Sequence, residues 1–507
     1  MAFAAQLRLD GEGQDHGQQR RRSPYRDKVS AARLRPVESE GGAMAELNSA
    51  VALAEAIRNG KASALEAVEA SLARSTLAQP RINCFTEIYA EEAREQAARV
   101  DALPLAERAG LALCGVPIGI KDFTPIAGKL TTFGSKVFRD HVAERDPVIV
   151  RRLKAAGAVI VGHTTTPEFA YSGHTQSPLW GITRNPWNTE FSAGGSSGGS
   201  GAAVAAGCVM LAEGTDMGGS VRIPASLCGV VGLKPSFGRI PMDILRTQYD
   251  TLAHFGPLAR FVDDAALFLA VSEGPDDADA LSLPALPPAF PVAPAPARPR
   301  LAVSLDLDTH AISDEVADLF HRLVDDLARS GAEVAWVKTP FSVQSVLDWE
   351  DLWAYCFAGD VGHLLEGHRG DLDPNVVALI EAGRKLDAVK LRAIEHRRTA
   401  LWRAFAEVLR GYDALLCPTT CTTAPFADPA RRERDEILPD GRFKSVDMTG
   451  HFNLTSSCPV ISVPMGLGAS GMPAGVQIVG HRHDDRGVLA LAKWIEGLRP
   501  PTFPAAA

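Results

Sequence analysis

The chain has 507 residues, 46% hydrophobic and 22% charged, with a formal charge of −9. That balance belongs to a soluble globular protein with a sizeable core. So mild an acidity excludes a globally basic nucleic-acid-binding surface. No run reaches the ~18 consecutive apolar residues that cross a bilayer, which excludes a membrane span.

Residues 1–43 are polar, contain Arg20-Arg21-Arg22 and lack the apolar core of a signal peptide. They read as a disordered extension or an overlong translation start. The amphipathic pattern begins after Met44. It predicts helices near 51–57, 65–72 and 93–100. Residues 115–120 read as a short buried strand leading into Lys121-Asp122. A helix is expected over 148–156, stopped by Gly157, followed by a strand at 158–162. Helix followed by short apolar strand is the signature of an α/β fold. Residues 198–207, rich in Gly, Ser and Ala, read as a buried helix of close backbone approach. The seven prolines of 284–299 exclude a regular element and predict a surface connection. Beyond it, 301–305 reads as a strand. Ser313 caps a helix whose apolar stripe is Val316, Leu319, Phe320, Leu323 and Leu327, with Gly331 ending it. A strand at 333–337 follows. Strands at 460–463 and 475–479 and a helix over 488–498 complete the chain, without internal repeats.

The eight cysteines (Cys84, Cys114, Cys208, Cys228, Cys356, Cys417, Cys421 and Cys458) lie mostly in apolar or small-residue runs. They read as small buried hydrophobes. Cys417 and Cys421 lack a partner pair at zinc-site spacing, so no metal site is expected. Reduced thiols fit a cytoplasmic protein.

Two serine-bearing glycine clusters carry the chemistry. One is Gly194-Gly195-Ser196-Ser197-Gly198-Gly199. The other, Gly218-Gly219-Ser220, lies within Gly214-Thr215-Asp216-Met217-Gly218-Gly219-Ser220-Val221-Arg222. Such loops could bring hydroxyls and backbone N–H donors together around a carbonyl. Serine needs a base. None of the 13 histidines sits in a distinctive motif, and each reads as surface or structural. Lys121, directly after an apolar run, could be desolvated to a neutral amine; its plainer reading is an ion-pair lysine. Gly195-Ser196-Ser197-Gly198-Gly199 also satisfies G-x-S-x-G with Ser197 at the centre. That elbow needs a strand immediately before it, and 185–193 read as loop. No P-loop motif occurs.

Together, Lys121 in Gly-Val-Pro-Ile-Gly-Ile-Lys-Asp, the Gly-Gly-Ser-Ser-Gly-Gly cluster and Gly-Thr-Asp-Met-Gly-Gly-Ser-Val-Arg-Ile-Pro-Ala resemble the amidase signature family. The resemblance runs from about 45 to 500. It includes Thr166-Pro167-Glu168-Phe169, Asn185-Pro186-Trp187-Asn188, Gly232-Leu233-Lys234-Pro235 and Phe452-Asn453-Leu454-Thr455. It implies one α/β domain over 44–500, a large mixed central β-sheet surrounded by α-helices, with a tail at 501–507. It implies a Ser–cis-Ser–Lys triad: Ser220 as nucleophile, Ser196 as bridging serine after a cis peptide bond, Lys121 as base. Backbone N–H groups of Met217, Gly218, Gly219 and Ser220 would hold the oxyanion. Around them, Ser197 would order Lys121 or the loop, and Thr215 would hydrogen-bond near the triad. Asp216 and Arg222 would brace the nucleophile loop, and Ala170 and Ser172 would line the substrate pocket. No metal or organic cofactor is implied.

The expected activity is hydrolysis of a C–N bond in a small-molecule amide, an aryl amide, anilide or carbamate, through an acyl-enzyme, with esterase or urethanase side activity. Trp349, Trp353, Tyr355 and Phe357 read either as helix core or as an aromatic pocket wall. Two alternatives stand beside this: a glutamine-hydrolysing subunit of a tRNA amidotransferase, which would need partner chains, and a catalytically silent scaffold. No nucleic-acid or membrane partner is expected, and a homodimer stands as the option for assembly.

Overall fold

A computed structural model describes residues 48–505. The expectation for residues 1–43 lies outside the described residues. Eleven strands form one mixed sheet: β1 Phe85–Ile88, β2 Pro117–Lys121, β3 Val159–Thr164, β4 Leu211–Asp216, β5 Val231–Lys234, β6 His254–Ala259, β7 Arg300–Val303, β8 Glu333–Trp336, β9 Ala414–Pro418, β10 Val460–Leu467 and β11 Pro473–Val479. Their spatial order is β1-β3-β2-β4-β6-β5-β10-β11-β9-β7-β8. β2 runs parallel to both β3 and β4, whereas β6 is antiparallel to β4 and β5.

Alternate strand residues feed opposite faces, the period-2 rule of a pleated strand. Ile160 of β3 and Leu211 of β4 enter one core with the helices Val148–Ala155, Val262–Ser272 and Asp485–Leu498. Their neighbours Val159, Val161 and Ala212 enter the other, against the helices Ala64–Ile82 and Gly198–Ala205. Both faces of the central strands are thus covered, which is why they read as continuous apolar runs.

The expected helices and strands are present where the sequence located them. Ser313 accepts a hydrogen bond from the Val316 N–H and caps the helix Asp314–Arg329. Residues 284–299 carry no helix or strand. Several strands were not anticipated. β4 begins at Leu211, a few residues beyond the 198–207 stretch read as a small-residue helix, and β1, β5, β6 and β9 were not read as strands. Two helices matter for the site: α1 (Gly198–Ala205) begins within the first glycine–serine cluster and α2 (Arg222–Cys228) just after the second. A third, α3 (Val343–Asp360), lines the cavity of the same region.

Candidate active site

β2 and β4 lie side by side in parallel, so their C-terminal ends emerge together. β2 ends at Lys121 and β4 ends at Thr215-Asp216. The loop before α1 brings in Ser196, whose preceding peptide bond, Gly195–Ser196, is cis. Lys121 Nζ lies 2.6 Å from Ser196 Oγ and 2.8 Å from Thr215 Oγ1. Lys121 and Ser196 are wholly buried. Burial pulls the Lys121 ammonium down to about 7, while the nearby carboxylates of Glu213 and Asp216 pull the other way.

Ser220 is half-buried and lines the same cavity as Ser196. Among the described residues its hydroxyl makes no hydrogen bond, so no direct link joins it to Ser196. The two clusters are tied instead through the backbone: the Ser197 N–H donates to the Ser220 carbonyl at 3.1 Å. Ser197 Oγ donates to the Thr215 carbonyl at 3.3 Å. Ser197 therefore ties its own loop to the Thr215–Ser220 segment and makes no hydrogen bond to Lys121. Gly214 makes this approach feasible, because a Cβ there would stand 2.8 Å from Ser197 Oγ.

The four N–H groups expected to face an oxyanion do not behave alike. That of Gly219 donates to Asp216 Oδ1 at 2.9 Å. Those of Gly218 and Ser220 have no acceptor among the described residues. Met217, Gly218 and Ser220 all line the cavity.

Beneath the loop lies a buried polar cluster. Arg222 donates from Nε and Nη2 to the two oxygens of Asp216, at 3.0 and 2.8 Å. Its remaining donors reach Gln477 Oε1 and Asn453 Oδ1, both at 2.7 Å, and the Thr449 carbonyl at 3.1 Å. Burial would raise the Asp216 carboxyl; the Arg222 charge, its hydrogen bonds and that from Asn453 outweigh burial and hold it well below the usual range.

Sequence reasoning missed three parts of this cluster. Glu213, wholly buried, accepts from the Lys121 N–H and from Thr124 Oγ1, each at 3.0 Å. Burial pushes its carboxyl up, against the hydrogen bond and charge of Lys121. Gln477 and Lys234 are also wholly buried. Lys234 Nζ donates to the Cys458 carbonyl at 2.8 Å. The sequence signal for such residues is a lone polar side chain between apolar neighbours, as in Val476-Gln477-Ile478.

The cavity holds about 290 Å³. Ala170 and Ser172 both line it. Phe169 and Ala170 have φ of 51° and 61°, a left-handed pair that non-glycine residues rarely adopt and that clusters at functional sites. Trp349, Trp353 and Phe357 of α3 form one wall; Tyr355 points away and is 49% exposed. The Trp349 and Trp353 rings stack at 5.2 Å and 21°, and Phe357 meets Trp353 edge-on. His174 lines the cavity too, and burial pushes it down to about 3, a neutral imidazole. Among the described residues no three His, Cys, Asp or Glu side chains converge to hold a metal ion. All eight cysteines are free, and only Cys356 is not fully buried. Among the described residues, no helix is long and apolar enough to cross a membrane.

Comparisons with known proteins agree with this geometry. The family model "Amidase" matches residues 66–489. An acylamidase of Rhodococcus erythropolis is 35% identical over 462 residues, spanning 89% of this chain and 95% of the relative. One component of the glutamyl-tRNA(Gln) amidotransferase of Synechococcus sp. (strain CC9605) is 33% identical, over 87% of this chain and 94% of its own. Among solved structures, a bacterial aryl acylamidase of the amidase signature family superposes with a TM-score of 0.83 at 28% identity, covering 89% of this chain and 96% of that one. A 6-aminohexanoate cyclic dimer hydrolase gives 0.80 at 30% identity, covering 91% and 99%. The chain belongs to the amidase signature family and is a hydrolase of amide carbon–nitrogen bonds other than peptide bonds.

Proposed function

We propose that the chain hydrolyses small aryl amides or anilides through an acyl-enzyme on Ser220. The reading rests on one observation: the 2.6 Å contact of a buried, easily deprotonated Lys121 with Ser196, which lines a cavity walled by aromatic rings. Neutral Lys121 takes a proton from Ser196 as Ser196 takes one from Ser220. Ser220 Oγ attacks the amide carbonyl. The negative charge that develops on the carbonyl oxygen faces the free N–H groups of Gly218 and Ser220. The proton returns through Ser196 to the leaving nitrogen, the C–N bond breaks and the amine departs. Water, deprotonated by the same relay, then cleaves the ester to release the acid and restore Ser220.

Three stacked or edge-on aromatics favour an aryl substituent on the substrate. Carbamates and esters present the same carbonyl and belong to the same reading as side activities. Relatives named as amidotransferase components keep glutamine in the test, because such a component would work with partner chains. The isolated chain is assayed on anilides, primary amides, carbamates and glutamine. Anilide turnover by the chain alone supports the proposal, and turnover of glutamine alone overturns it. A fluorophosphonate probe should label wild type and leave Ser220→Ala unlabelled. The domain limits 44–500 and a cytoplasmic location, which the free cysteines fit, belong to this proposal.

A further inference from the structure

Trp349 does more than wall the cavity. Its indole Nε1–H donates to the Met217 carbonyl at 3.0 Å. The peptide unit is planar and trans, so its carbonyl and the following N–H point in opposite directions. Holding the Met217 carbonyl on one side therefore aims the Gly218 N–H to the other. That N–H has no acceptor among the described residues. The next peptide is held in the same manner, since Thr449 Oγ1 donates to the Gly218 carbonyl. Gly218 itself is shaped to the indole: a Cβ there would stand 2.1 Å from Trp349 Cζ2. Gly450 admits the ring from another side, where a Cβ would lie 3.2 Å from Cδ2. The ring is finally fixed by stacking on Trp353.

We propose that Trp349 is a positioning residue for the oxyanion donors: its N–H orients the Met217–Gly218 peptide, while its ring forms the substrate-facing wall. The proposal rests on the hydrolase reading above. It assigns the two halves of one side chain to two separable steps. The donor serves the transition state and is read in kcat. The ring serves ground-state binding and is read in KM.

Two variants separate the halves. Trp349→Phe keeps an aromatic ring and removes the donor. Trp349→Gln removes the ring and keeps an N–H donor the same number of bonds from Cβ. With an anilide substrate, Trp349→Phe should lower kcat about tenfold with KM within about twofold, the size of one lost hydrogen bond to the oxyanion loop. Trp349→Gln should recover most of that kcat at a raised KM. Fluorophosphonate labelling of Ser220, which also places negative oxygen at the oxyanion site, should slow in Trp349→Phe and recover in Trp349→Gln. Thermal unfolding of both variants establishes that each is folded; if one is not, labelling and kinetics of the other decide. Wild-type kcat in Trp349→Phe, or loss confined to KM, overturns the proposal while leaving the hydrolase reading intact. A wild type inert to substrates and probe overturns both.

Discussion

Arg222 grips both carboxylate oxygens of Asp216 at a point where neither side chain has any solvent exposure. The pair sits directly under the loop that carries Ser220. Removing one partner leaves a buried charge without compensation, which costs on the order of 3–5 kcal/mol. Arg222→Met should therefore lower the stability of the folded chain by about that amount in urea unfolding. Asp216→Asn combined with Arg222→Met removes both charges and should recover part of the loss. A single Arg222→Met variant as stable as wild type would sink this account of the pair.

The pH profile follows from Lys121. Its pKa in the folded chain is lowered to about 7, with burial as the main cause. Below that value the amine is protonated and cannot take the proton from Ser196; above it the amine is free. kcat/KM should thus rise through about pH 7 and be about tenfold lower at pH 6 than at pH 8. Lys121→Ala should lose most of the rate together with this limb. A rate that falls across the same interval, or a Lys121→Ala enzyme of normal activity, contradicts the assignment.

The segments that meet at the candidate site were legible in the sequence because they are short, local motifs. The glycine clusters and Lys121 at the end of an apolar strand are visible without knowledge of the fold, whereas the roles of Lys121, Asp216 and Arg222 come from the family resemblance those motifs carry. What was not legible depends on which partner each donor finds in the folded chain, near or far in sequence. Ser197 was expected to order Lys121 or the loop; its hydrogen bonds go to the Thr215 and Ser220 carbonyls of the loop, with none to Lys121. The Gly219 N–H was expected among the oxyanion donors, yet Asp216 holds it, a partner only three residues away. The aromatics of α3 carried two readings because helical spacing alone cannot say whether a face meets core or cavity. Three line the cavity and Tyr355 does not. β4 escaped notice because Leu211-Ala212 continue the small apolar run of the preceding helix.

Trp353 tests the aryl wall one ring away from the oxyanion loop, and because it stacks on Trp349 its effect on KM is read apart from any change in kcat. It lines the cavity between Trp349 and Phe357. An aromatic pair contributes about 0.5–1.5 kcal/mol beyond its buried area, worth roughly two- to tenfold in binding. Trp353→Ala should raise KM for an anilide by about that factor and change KM for a short aliphatic amide much less. Equal changes for both substrates would argue that the wall does not recognise the aryl group.

Glu213 gives the sharpest electrostatic prediction, because the direction of the effect is fixed. Its carboxyl faces Lys121 from the neighbouring strand β4, accepting the Lys121 N–H at 3.0 Å. Its charge stabilises the ammonium and raises the Lys121 pKa against the larger effect of burial. Glu213→Gln removes that charge at nearly constant volume. Lys121 should then lose its proton at lower pH, and the acid limb of kcat/KM should move down. Stability should fall as well, since Gln offers a single acceptor oxygen where Lys121 N–H and Thr124 Oγ1 each now find one. The two effects are read separately, the first from the position of the limb and the second from urea unfolding. A limb that stays in place or moves to higher pH would show that Glu213 does not set the proton affinity of Lys121.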